Sequence, residues 1–114
     1  MMSPYVFVGL VSKDNKAYNE KKLMTSLVML SARIFEISEQ EVMAKRRVRL
    51  FVQARTAIAS ILRFKYNMSL CNIGRAMAKD HSTIINMIKN HKTDMKYDEI
   101  YRNRYQQIKQ LHTC

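Results

Sequence analysis

From Lys22 onward the apolar residues recur every three or four positions, the period of a helix with one buried face. Leu23, Leu27, Leu30 and Ile34 form one row, with Met24, Val28 and Phe35 beside it. Ser38-Glu39-Gln40-Glu41 then reads as a capping box, because the Ser38 hydroxyl can accept from the Glu41 backbone while the Glu41 side chain reaches back. The spacing predicts a short helix through Ala44. Lys45-Arg46-Arg47-Val48-Arg49 follows as a loop. A longer helix runs from about Leu50 to Tyr66, with Phe51, Ala54, Ile58, Ile61 and Leu62 facing a core.

Asn67-Met68-Ser69 interrupts that helix, and Ser69 can cap a shorter one from Leu70 to Met77. Ala78-Lys79 is a turn. Asp80 suits the N-cap of the next helix, which spans about His81 to His91. Thr93-Asp94 reads as another break. Tyr97, Ile100, Tyr101, Tyr105, Ile108 and Leu111 supply the apolar side of the last helix. Two glycines and one proline in 114 residues agree with a mostly helical chain. The expected architecture is an all-α bundle of about five or six helices.

Residues 1–20 break the pattern and are expected to form an N-terminal arm, with the domain proper at 21–114. Tyr5-Val6-Phe7-Val8-Gly9-Leu10-Val11 is short, β-branched and aromatic, so it favours a strand. Ser12-Lys13-Asp14-Asn15-Lys16 looks like a loop. A lone strand must pair, pack as an extended arm or stay mobile, since it cannot satisfy its own backbone. The arm, or the tyrosine-rich last helix, therefore offers a surface for self-association.

Charge narrows the function. The chain carries 20 Lys+Arg against 9 Asp+Glu, a formal net charge of +11. A balance of this kind implies a polyanionic partner: DNA, RNA or an anionic membrane surface. No acid lies between Val42 and Lys79, a stretch that holds Lys45, Arg46, Arg47, Arg49, Arg55, Arg63, Lys65, Arg75 and Lys79. One continuous segment thus carries an unneutralised positive field, whereas solvated faces usually mix signs. The basic residues do not fall on one lipid-facing amphipathic helix, which disfavours a membrane partner. No apolar run approaches the roughly 20 residues of a membrane span. The N-terminus lacks the basic region of a signal peptide. Cys71 and Cys114 have neither a CxxC pattern nor a histidine at metal spacing, and read as free thiols of a reducing, cytoplasmic compartment. No catalytic constellation is visible: Asp80 and His81 are neighbours rather than a base facing its orienting group. No cofactor is expected.

Residues 73–84, Ile-Gly-Arg-Ala-Met-Ala-Lys-Asp-His-Ser-Thr-Ile, join a short helix, a tight turn and the polar start of a second helix. A helix-turn-helix presents such residues to base edges in the DNA major groove. With Ile37-Ser38 leading into Lys45-Arg46-Arg47, a helix opened near Arg55, and Ser69-Leu70 leading into Ile73-Gly74, the chain resembles the C-terminal DNA-binding domain of the bacterial replication initiator DnaA over about residues 22–111. The resemblance implies an all-helical fold related to the Trp repressor. It implies a sequence-specific reader of double-stranded DNA, marking a replication origin, competing with a host initiator for its boxes, or regulating transcription.

The resemblance also assigns roles. Arg47 would read A·T pairs in the minor groove, where the narrow, negative groove attracts a guanidinium; a plain phosphate contact is the alternative. Asp80, His81 and Ser82 would read bases in the major groove; Asp80 can accept from cytosine, or simply cap Thr83. Backbone contacts fall to Lys45, Arg46, Arg49, Arg55, Thr56, Lys79, Thr83 and Lys89, and to the start of a helix at Leu70 and Cys71, whose backbone N–H groups suit an anion.

The chain departs from the family pattern in several places. Ala78-Lys79 replaces two glycines and an arginine, one residue shorter. Lys79 cannot bond in the bidentate manner of the arginine it replaces. Thr56 stands where a glutamine is common, and Cys71 where a proline is. The AAA+ ATPase that accompanies the initiator's domain has no counterpart here, since no G-x-x-x-x-G-K-[ST] motif is present; stand-alone versions are expected of phages and mobile elements. A DNA-recognising assembly protein, such as a viral small terminase subunit, is the alternative function.

Overall fold

The computed structural model describes residues 12–112. Six helices follow one another: α1 (Ser12–Phe35), α2 (Glu39–Met43), α3 (Arg49–Phe64), α4 (Leu70–Met77), α5 (His81–Tyr97) and α6 (Glu99–Leu111). No strand occurs among the described residues. The expected strand Tyr5–Val11 lies outside them.

The centre of the bundle is α3, which touches each of the other five helices. The expected inward row is buried there, but so is every residue from Gln53 to Leu62. A helix buried all round needs small side chains so that neighbours can approach. Ala54, Ala57, Ala59 and Ser60 supply them, each at 0% exposure, while Ile58, Ile61 and Leu62 fill the space between.

Four expectations need correction. Helix α1 begins at Ser12, inside the stretch expected as loop and arm. Polarity suggested the loop, but residues 12–23 contain no glycine or proline to stop a helix. On α1 the fully inward row is Met24, Leu27, Val28, Ser31 and Phe35, whereas Leu23, Leu30 and Ile34 are only partly covered. Helix α5 runs through Thr93-Asp94 to Tyr97. The Thr93 hydroxyl donates back to the Lys89 carbonyl, which lets a threonine remain within a helix. The chain turns at Asp98 instead, whose carboxylate accepts from the Tyr101 backbone at 3.0 Å, from Gln53 at 2.9 Å and from Arg49 at 3.2 Å. Finally, α6 buries Tyr101, Tyr105, Ile108 and then His112, leaving Tyr97, Ile100 and Leu111 more than half exposed.

Between α5 and α6, His91 is enclosed by rings. Its Nδ1 lies 2.7 Å from the Tyr101 hydroxyl, and the Tyr105 ring centroid is 4.4 Å away. Burial, aided by Lys92, pushes its pKa down from the usual 6.5 to about 4. The unfolded chain therefore binds a proton more readily than the folded one between these values. The contribution to stability is complete above pH 6.5 and is lost as pH falls toward 4. Thermal unfolding from pH 7.5 to 4 should show a loss on the order of 3 kcal/mol from this group, and His91→Phe should flatten that part of the profile.

Candidate nucleic-acid interface

The capping box at Ser38 forms in both directions: Glu41 N donates to Ser38 Oγ at 3.0 Å, and Ser38 N donates to Glu41 Oε1 at 2.8 Å. Helix α2 is short, so its last carbonyls are left without helical partners. Arg55, one helix later, supplies them. Its Nη1 donates to the Val42 carbonyl at 3.1 Å and to the Ala44 carbonyl, and its Nη2 donates to the Arg46 carbonyl at 2.8 Å. A guanidinium is suited to this because its donors diverge in one plane. The loop after α2 is thereby tied to α3 from beneath. Lys45, Arg46, Arg47 and Val48 are left exposed on its outer side.

Arg55 was expected at a phosphate. At 6% exposure it gives three N–H groups to the carbonyls of Val42, Ala44 and Arg46, so it also braces the basic loop. Thr56 was expected at the DNA backbone and is 1% exposed, because α3 turns it into the bundle. Arg49 is exposed but opens α3 and pairs with Asp98 at 3.2 Å. The family pattern places Arg55 and Thr56 at the DNA backbone and the basic run adds Arg49, but the helical period of α3 separates the three.

Helix α4 starts at Ser69, whose hydroxyl accepts from Asn72 N at 3.1 Å. Leu70 packs partly against the core, and Cys71 is an exposed free thiol in the first turn. Ile73 and Met77 on α4, and Ile84 and Met87 on α5, anchor the pair to the bundle. The shortened turn closes without glycine. Ala78 takes the left-handed conformation, φ 56° and ψ 46°. Its N–H reaches Arg75 O at 3.3 Å, while Lys79 N reaches Gly74 O at 2.8 Å. This is the Schellman pattern of helix termination, usually completed by glycine. An L-residue there costs about 1–2 kcal/mol. Ala78→Gly should therefore raise stability by a net of about 0.5–1 kcal/mol, glycine's extra freedom when unfolded offsetting part of the relief; urea unfolding would measure it.

Asp80, His81 and Ser82 project exposed at the start of α5. Asp80 has the extended backbone of an N-cap, yet its carboxylate makes no capping hydrogen bond and is left to meet another partner. Thr83, one residue on, is half-buried and turns toward the basic loop. Between the loop and α5 lies an open cleft of about 410 Å³. Lys45 and Arg47 line one side, Lys79, Thr83, Asn86 and Asn90 the other, with Val52, Arg55 and Met87 completing it. Lys89 is exposed on α5 outside the cleft.

Residues 27–90, more than half of the chain, match the family described as bacterial dnaA protein helix-turn-helix. The chain belongs to the bacterial DnaA helix-turn-helix family. No curated protein matches it. The DnaA match spans the basic loop, the brace from Arg55, all of α4, the turn and the first ten residues of α5, and it stops one residue before His91. The DnaA helix-turn-helix is a DNA-binding unit, not a catalytic one. The last seven residues of α5 and all of α6 lie beyond the match. Among the described residues no helix is long and apolar enough to cross a membrane.

Asn86 and Asn90 line the cleft but do not stand out in the sequence. The signal that could have found them is their spacing from Thr83, three and then four residues along one helical face.

Proposed function

We propose that the protein binds double-stranded DNA sequence-specifically, in the manner of DnaA-box recognition, at a replication origin or a site regulating replication or transcription. The exposed, unbonded start of α5 carries this reading. Asp80, His81 and Ser82 present a carboxylate, an imidazole and a hydroxyl free of intramolecular duties, at the end of a helix that fits the major groove. Arg47, on the braced loop, enters the adjacent minor groove and favours A·T pairs. Lys45, Arg46 and Lys79 supply phosphate contacts, and the backbone of Leu70 and Cys71 meets a phosphate at the start of α4.

Titrating the protein into a DnaA-box duplex and a scrambled duplex, each at several salt concentrations, tests the reading. The box should bind more tightly throughout, and both affinities should fall with salt. Arg47→Ala and His81→Ala should each remove about 1–3 kcal/mol of discrimination. Equal affinity for the two duplexes at every salt would defeat specific readout.

A further inference from the structure

We infer that Asn86 and Asn90 on α5, together with Thr83, form a neutral rail that seats the phosphodiester strand lying between the two grooves. The inference rests on the duplex-binding reading above and assigns the cleft within it. Adjacent major and minor grooves are separated by one phosphodiester strand. With α5 in one groove and Arg47 in the other, that strand must cross the space between them, which is the cleft. Lys45 and Arg47 make its loop side cationic, and Lys79 adds a charge at the turn.

The α5 side differs. Asn86 and Asn90 are exposed and have no polar partner within the protein. Each offers two amide N–H donors to phosphate or sugar oxygens. Beneath them Arg55 gives a second, independent indication of an anion. It is 6% exposed, bonded to three carbonyls, and not paired with a carboxylate. The one ion pair among the described residues is Arg49 with Asp98, and no carboxylate lines the cleft. A buried cation without a counter-charge is unfavourable, as the downward pull of burial on its pKa reflects. A phosphate in the cleft would supply that counter-charge.

Neutral donors and cations leave different signatures. Lysine contacts release counterions and set the salt slope; amide contacts do not. Fluorescence anisotropy with a DnaA-box duplex and a mixed-sequence duplex, across a salt series, separates them. Asn86→Ala and Asn90→Ala should each weaken binding about fivefold, equally for both duplexes, with the slope unchanged. Lys45→Ala should flatten the slope by about one phosphate. Both asparagines are exposed on a helix that alanine favours, so thermal unfolding should confirm intact folds. Loss confined to the box duplex would mean that the asparagines read bases. Unchanged binding in both variants, with His81→Ala still impaired, would mean that the strand runs elsewhere. Either result overturns the rail and leaves duplex binding standing. Failure of the unaltered protein to bind any duplex would remove the duplex-binding reading itself, and the rail with it.

Discussion

Arg55→Met should loosen the basic loop and weaken duplex binding more than the loss of one charge explains. Methionine fills much of the same space but donates nothing. The carbonyls of Val42, Ala44 and Arg46 then lose their partner. A buried carbonyl left unsatisfied costs about 1–3 kcal/mol, though those nearer the surface can recover water. A net destabilisation of about 2–4 kcal/mol follows. Arg55→Lys should recover only part of it, because a single ammonium cannot reproduce the planar fork. Urea unfolding gives the stability, and the box-versus-scrambled titration gives the readout. A methionine variant as stable and as discriminating as the parent would show that the loop is held by something else.

Gly74→Ala should damage the helix-turn-helix from within. A Cβ on Gly74 would stand 2.8 Å from the Lys79 carbonyl oxygen, with the Ile84 side chain next at 3.7 Å. The nearest obstacle is backbone, so no side chain can rotate away. Either α4 retreats or the turn lifts, and both loosen the Lys79 N to Gly74 O bond that closes the turn. Overpacking of this kind costs about 1–3 kcal/mol. Binding should fall further than stability does, since tilting α5 misplaces His81 and Asp80 together. Adding Ala78→Gly should not rescue the variant, because the clash involves the Lys79 carbonyl rather than the backbone angle of Ala78. Rescue by that second change would assign the defect to the turn conformation instead.

Much of this was legible in the residue order. Capping signals at Ser38 and Ser69 and the 70–77 helix depend on neighbours a few positions away, and local chemistry decides them. The duties of Arg55, Arg49 and Thr56 depend on partners far along the chain. A run of bases with no acids between them looks like one surface, yet α3 points Arg55 under the loop, Thr56 into the core and Arg49 toward Asp98. The end of α5 eluded a local reading for the same reason. Thr93-Asp94 resembles a break, but the helix stops at Asp98, which is fixed by the distant Gln53 and Arg49 as well as by its local cap on Tyr101. Tyr97, Ile100 and Leu111 have the composition of a core face but not its phase, because His112 closes the buried row in place of Leu111.

The brace under the loop also governs how recognition is timed. Residues 44–48 carry three adjacent cations in an unrepeating backbone, a segment that would otherwise sample many conformations. Ordering such a segment costs about 1–2 kcal/mol per residue. With Arg55 in place, that entropy is surrendered as the bundle folds rather than at the moment of encounter. Under the proposed reading the loop would meet DNA already shaped, so association would approach a rigid-body docking, and the contacts proposed for Arg47 would not be consumed in arranging the chain that bears it.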